Sequence, residues 1–116
     1  ENTMIGFKKL CQETVISKKA NIELPSIIKL EYYKTESKLP QNKKYGIEVR
    51  KQEIEGNKVT EEKVSEYELS NNEKLIDNLL RILVKNKVTP VTTSDVITDF
   101  KKEPELIFSI CKSYSN

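Results

Sequence analysis

The chain has 116 residues, which suits one domain with a core of its own, and its formal net charge is only +2. That balance requires no polyanionic partner. With no histidine and two cysteines, Cys11 and Cys111, the composition excludes a disulfide framework and a histidine-containing zinc site. Two free thiols fit a reducing compartment, and no apolar run approaches the roughly 18 residues of a membrane span, so a cytoplasmic location is expected.

The first segment has weak helical spacing. Phe7, Leu10 and Cys11 fall on one side of a helix, but Gly6 and the β-branched run at 14–16 weaken the pattern. We therefore predict an N-terminal arm or weak helix over residues 1–26, followed by a single α+β domain over 27–116.

The domain is predicted to begin with three strands, at about 27–36, 45–54 and 59–69. Ile28, Leu30 and Tyr32 alternate with polar residues in the first strand. The other two strands form a hairpin, because Gly56 and Asn57 tolerate the positive φ of a tight two-residue turn.

The hairpin register contains a conflict. A two-residue turn pairs Ile54 with Val59, which is favourable. The same register places apolar Ile47 opposite charged Glu66, which is unfavourable on a core face. One extra residue in the second strand, around 63–65, resolves the conflict, so we predict a β-bulge there.

Three helices are predicted after the hairpin, at about 71–85, 94–102 and 104–112. Ser70 and Glu73 have the spacing of a capping box, and Asn86 suits a left-handed C-cap. Residues 87–91 read as non-helical because of Pro90, and Pro104 suits the first position of the last helix. The predicted fold is α+β: a three-stranded antiparallel β-meander with helices packed on one face.

The hairpin and helix together resemble a known family. The runs at 45–49, the turn near Gly56, the Leu/Ile-rich helix and the segments at 88–91 and 95–97 are similar to those of small uncharacterised proteins from clostridia and related Firmicutes. The resemblance covers roughly residues 27–102. It implies a small bacterial cytoplasmic protein with a domain of unknown function, and it implies no activity, ligand or catalytic residue.

One candidate functional site combines lysine and tyrosine. Lys38, Lys43 and Lys44 flank a loop near Tyr33, and lysines beside sheet aromatics hold phosphates and stack bases in single-strand binders. This pattern suggests weak nucleic-acid binding through residues 29–45, as an accessory activity. Core or cross-strand tyrosines beside a solvated loop are the structural alternative.

A second candidate is a protein-interaction surface. A small meander has two open edges, and Leu106, Ile107 and Ile110 are apolar residues that a minimal domain leaves partly uncovered. No histidine is available as a general base, and the three scattered glycines cannot form a phosphate loop. We therefore expect a non-catalytic protein-interaction or regulatory module, with self-association or a protein partner, and no enzyme activity, metal or cofactor.

Overall fold

A four-stranded antiparallel sheet carries two helices. The computed structural model describes residues 5–17, 26–37 and 43–104, the first range by its backbone. The strands are β1 (Ile5–Ser17), β2 (Ser26–Ser37), β3 (Lys44–Glu55) and β4 (Lys58–Ser70), in the order β1-β2-β3-β4. The helices α1 (Glu73–Lys85) and α2 (Pro90–Lys102) follow. The predicted α+β class and antiparallel meander are confirmed, and the three predicted strands are β2, β3 and β4.

The sheet has a fourth strand where an arm or weak helix was predicted. β1 pairs antiparallel with β2 from Ile5↔Ser37 to Ser17↔Ser26, with one register shift between Lys9 and Cys11. The prediction is therefore wrong for residues 5–17. The β-branched run at 14–16 favours a strand, and the ladder offered by β2 outweighs a weak helical spacing.

The core lies between one face of the sheet and the two helices. Tyr32 of β2 and Val49 of β3 are paired, and both are fully buried on this face. Strand alternation adds apolar residues from both strands, and the helices cover them with their own apolar stripes. The buried apolar residues are Leu30, Tyr32, Ile47, Val49, Ile76, Leu79, Leu80, Ile82, Leu83, Val88, Val96, Ile97 and Phe100.

Polar contacts also fix the helices on the sheet. The buried hydroxyl of Tyr32 donates to the carbonyl oxygen of Val88, 2.9 Å away, in the connection between the helices. The Lys34 ammonium bonds Glu73 at 2.6 Å and Asp77 at 2.9 Å, both on α1. Burial alone lowers the pKa of Lys34, but these two carboxylates together outweigh burial and raise that pKa. β2 is thereby tied to the start of α1 and to the connection that follows this helix.

The first helix begins two residues later than predicted, at Glu73, and its N-cap differs from the predicted Ser70. Asn72 is the N-cap, and its side chain accepts from the amides of Lys74 and Leu75 at 3.1 and 3.4 Å. The Ser70 hydroxyl instead accepts from the Asn72 amide at 3.0 Å, which tightens the turn before the helix. At the other end Lys87, with φ 51°, takes the left-handed conformation that was predicted for Asn86.

The second helix begins at Pro90, where a non-helical connection was predicted, rather than at 94. Thr89 is its N-cap and Pro90 its first residue. Proline suits this position because its missing amide would have no partner in the first turn and its φ is already helical. The helix predicted over 104–112 lies outside the described residues, apart from its first residue, Pro104.

The hairpin has the predicted turn but a different irregularity. Gly56 has φ 60°, and Ile54 pairs with Val59 as predicted. The register then continues without a shift through Ile47↔Glu66, so the predicted bulge at 63–65 is wrong. The next pair is Tyr45↔Ser70, which leaves residues 67–69 of β4 opposite a single residue of β3. The bulge therefore has two extra residues and lies at 67–69.

Gly46 makes this bulge possible. A Cβ atom built on Gly46 would lie 2.0 Å from the carbonyl oxygen of Glu66 and 2.6 Å from the Cα atom of Tyr67. Only a residue without a side chain allows the β4 backbone to pass so close. Glu66, across from buried Ile47, bonds the Lys101 ammonium of α2 at 2.6 Å, so the position that had looked unfavourable connects β4 to α2.

We expect Gly46→Ala to lower the free energy of unfolding by about 2 to 4 kcal/mol, because its Cβ would overlap backbone atoms that cannot rotate away. Urea denaturation followed by circular dichroism measures this loss. The matched control is Gly56→Asn, which should lose less than about 1 kcal/mol because asparagine tolerates a left-handed turn. Equal, small losses for both variants would contradict the close approach at Gly46.

Candidate functional site

The outer side of β4 is a strand edge that no strand among the described residues pairs with. Within the described part of the chain, β4 pairs with β3 alone, and its regular ladder extends from Lys58 to Glu66. We call the outer side of residues 58–66 the β4 edge. Lys58, Val59, Thr60, Glu61 and Lys63 are exposed along it. Such an edge presents backbone groups that another strand can bind.

The turn determines which amides of the β4 edge point outward. Glu55 and Lys58 flank the two-residue turn, so this pair exchanges both of its hydrogen bonds. Because hydrogen-bonded and non-hydrogen-bonded pairs alternate, the amides of Val59, Glu61 and Lys63 face away from β3. These outward amides are the donors available to an added strand.

A groove runs beside the β4 edge on the helix side. It has a volume of about 560 Å³ and lies between β4 and the first turn of α2. Val91 contributes an apolar wall and is 64% exposed. The lining residues are Glu62, Lys63, Val64, Pro90, Val91, Ser94 and Asp95. A strand added to β4 would therefore have side-chain space under α2 as well as backbone partners.

A polar cluster occupies the sheet face opposite the helices. We call Glu31, Tyr33, Glu48, Arg50 and Tyr67 the tyrosine–arginine cluster. The Glu48 carboxylate, only 1% exposed, accepts from Arg50 Nε at one oxygen and from the Tyr67 hydroxyl, at 2.8 Å, at the other. The hydrogen bond to Glu48 raises the pKa of Arg50. Glu48 is therefore a buried carboxylate whose two oxygens are both occupied.

Tyr33 joins the same network through its ring and its hydroxyl. The Arg50 guanidinium lies over the ring, with 4.3 Å between Cζ and the centroid, a cation–π contact. The Tyr33 hydroxyl donates to Glu31 at 3.0 Å and accepts from Arg50 Nη1 at 3.3 Å. One face of this ring is therefore covered by an arginine.

The comparisons with known proteins identify the family. A model of a family of unknown function, DUF6514, matches residues 7–103. This chain belongs to that family. No curated protein and no solved structure shows significant similarity to it.

The DUF6514 fold separates the members of the predicted lysine–tyrosine site. Tyr33 pairs with Glu48, whereas Lys44 pairs with Ser37, four residues further along β2, or about 13 Å away. Lys43 forms an ion pair with Glu36 at 3.2 Å, and the hydrogen bond to Glu36 raises the pKa of Lys43.

The remaining residues of the two predicted sites and their neighbours lie either on the core side of the sheet or outside the described residues. Two further tyrosines of the 29–45 region, Tyr32 and Tyr45, pack on the core side of the DUF6514 sheet. Lys38, Leu106, Ile107 and Ile110 lie outside the described residues.

Glu48, Arg50 and Tyr67 were missed by sequence reasoning. Glu48 and Arg50 are two residues apart on one strand, so their shared face was readable, and the paired register places Tyr33 beside them. Tyr67 lies on the face of Glu48 because the register is unshifted through Ile47↔Glu66, whereas the bulge predicted at 63–65 would have turned Tyr67 to the core side.

The described residues contain neither a metal-binding cluster nor a membrane-spanning helix. Among the described residues, no three His, Cys, Asp or Glu side chains are grouped to hold a metal ion. No helix in the same residues is long and apolar enough to cross a membrane.

We expect Arg50→Met to lower the free energy of unfolding by about 2 kcal/mol, because it leaves the Glu48 carboxylate buried without its cation. Combining it with Glu48→Gln should cost less than the sum of the two single changes, since the charge that Arg50 balances is then absent. Urea denaturation of the two single variants and the double variant gives the coupling energy.

Arg81→Met is the matched control, because Arg81 is exposed on α1. It should change stability by less than about 0.5 kcal/mol. Strict additivity of Glu48→Gln and Arg50→Met would contradict the pairing of these two side chains.

Proposed function

We propose that this DUF6514 protein is a small, non-catalytic protein-interaction module that accepts a strand from a protein partner along the β4 edge. The observation that carries the proposal is the length of β4, 13 residues, paired on one side only within the described residues. Strands in globular proteins are usually about 5 or 6 residues long, and edge strands are often shorter still.

Strand addition uses groups that the β4 edge already presents. The outward amides of Val59, Glu61 and Lys63 and the carbonyl groups beside them would exchange water for main-chain partners. Main-chain hydrogen bonds supply affinity in this mode, and side-chain pockets supply specificity. The groove between β4 and α2, walled by Val91, offers such a pocket.

The contacts of the tyrosine–arginine cluster support a structural role for it. Glu48, Arg50 and Tyr67 bond one another, so the charged groups of this face are engaged in holding the sheet. This arrangement favours a binding module over an enzyme. The covered ring of Tyr33 and the Lys43–Glu36 ion pair favour protein binding over the alternative, weak nucleic-acid binding through 29–45.

We further infer a cytoplasmic protein of a clostridium or a related Firmicute. The support is the resemblance carried by the hairpin–helix unit and a composition with two cysteines, which suits a reducing compartment.

The proposal is tested by capture from native lysate with and without nuclease. We expect the tagged wild-type chain to retain protein in stoichiometric amount after nuclease treatment. Glu61→Pro should reduce retention at least tenfold, because proline removes an outward amide without breaking the ladder to β3. Glu61→Gln keeps that amide and removes only the charge, so its retention should stay well above that of Glu61→Pro.

Two results would contradict the proposal. One is equal retention by wild type and Glu61→Pro, with circular dichroism reporting the same fold for both. The other is retained material that disappears with nuclease, which would favour nucleic-acid binding through the lysine-rich region.

A further inference from the structure

We propose that the strand accepted by the β4 edge is β4 of a second copy of this chain, paired antiparallel about a two-fold axis at Glu62. This inference rests on the proposed function and names its partner. The two sheets would join edge to edge into one continuous sheet with a helical layer from each copy.

The limits of the regular ladder define where a partner strand can pair. The unshifted register with β3 extends from Lys58, next to the turn, to Glu66, next to the bulge. Glu62 is the midpoint of this stretch. A two-fold axis at Glu62 therefore pairs the whole regular stretch of one copy with that of the other, whereas an axis elsewhere leaves part of it unpaired.

The backbone pattern allows this axis. Val59, Glu61, Lys63 and Ser65 alternate with the residues that bond β3, so their amides point outward. An axis at Glu62 pairs Glu61 with Lys63 and Val59 with Ser65 of the second copy. The backbone N–H and C=O groups of both residues in each pair point away from β3, so each pair can exchange two hydrogen bonds.

Charge selects the same register. Symmetry gives two Glu61–Lys63 pairs on the face opposite the helices and two Lys58–Glu66 pairs on the helix side. A shift of the axis to Glu61 sets that carboxylate against itself, and a shift to Lys63 sets two ammonium groups together. Charges on an edge strand ordinarily oppose pairing, but here this register sets opposite charges together at every charged pair except the central one.

The centre of the interface carries the one like-charged pair. The two Glu62 side chains face each other across the axis, but each is 3.4 Å from Lys51 of its own copy. The resulting group of two carboxylates and two ammonium ions is neutral. Glu62 therefore enters the interface with its charge already balanced.

The groove beside α2 gives the second copy a place to pack. In this register Thr60 of the second copy lies opposite Val64, which lines the groove with Pro90 and Val91. The threonine methyl group would contact Val91, which is 64% exposed in the single chain. The exposed apolar surface next to the edge is thereby covered from the other copy.

A charge swap tests the register. Sedimentation velocity on the full chain over a wide concentration range should report a monomer–dimer equilibrium for the wild type. Glu61→Lys and Lys63→Glu should each weaken the dimer at least about tenfold, since each creates two like-charged pairs. The double variant E61K/K63E restores opposite pairs, and its dissociation constant should return to within about threefold of the wild-type value.

Lys85→Glu is the control, because Lys85 is exposed on α1 and should leave the equilibrium unchanged. A wild type that stays monomeric at every concentration would overturn the second copy as the partner. If capture from lysate still depends on the Glu61 amide in that case, the proposed function stands, and if it does not, both fail. If the wild type dimerises but the double variant E61K/K63E stays as weakly associated as the single variants, the proposed register is wrong.

Discussion

The close approach of two backbones at Gly46 governs the rest of this structure. Because Gly46 has no side chain, β4 can pass within 2.0 Å of where a Cβ would lie and insert two extra residues at 67–69. The bulge ends the regular ladder at Glu66, yet Leu69 still packs against the core before α1 begins. A larger residue at Gly46 would force the ladder onward and change how the chain enters the helix.

Polar contacts lie on both faces of the sheet at this end of β4. Tyr67 bonds the buried Glu48 carboxylate on the face opposite the helices, while Glu66 bonds Lys101 of α2 on the other face. The helices are thus held by apolar packing and by ion pairs at the sheet's end. The outer side of β4 between the turn and the bulge has no partner strand among the described residues, and this edge carries the proposed function.

Sequence reasoning reached the elements whose signals are local. The Gly56-Asn57 turn, the register beside it and the apolar stripe of α1 depend on neighbouring residues, and all are present. β1 was missed because its strand state depends on pairing with β2, which no local periodicity records. The sequence prediction placed the bulge where it would match apolar residues across the hairpin. In the structure the bulge lies where the missing side chain of Gly46 lets the β4 backbone approach. Tyr33 was predicted to lie beside lysines, but the side chain over its ring is Arg50, as only the register reveals.

Amide hydrogen exchange along β4, measured by NMR at low and high protein concentration, reports directly whether a second strand pairs with the β4 edge. Thr60 and Glu62 bond β3 through their amides, so they should be protected at both concentrations. In dilute protein we expect Val59, Glu61 and Lys63 to exchange freely, which gives an alternating pattern along β4. In concentrated protein these three amides should become protected, so that the alternation disappears. Outward amides that exchange at the same unprotected rate at both concentrations would contradict pairing at the β4 edge.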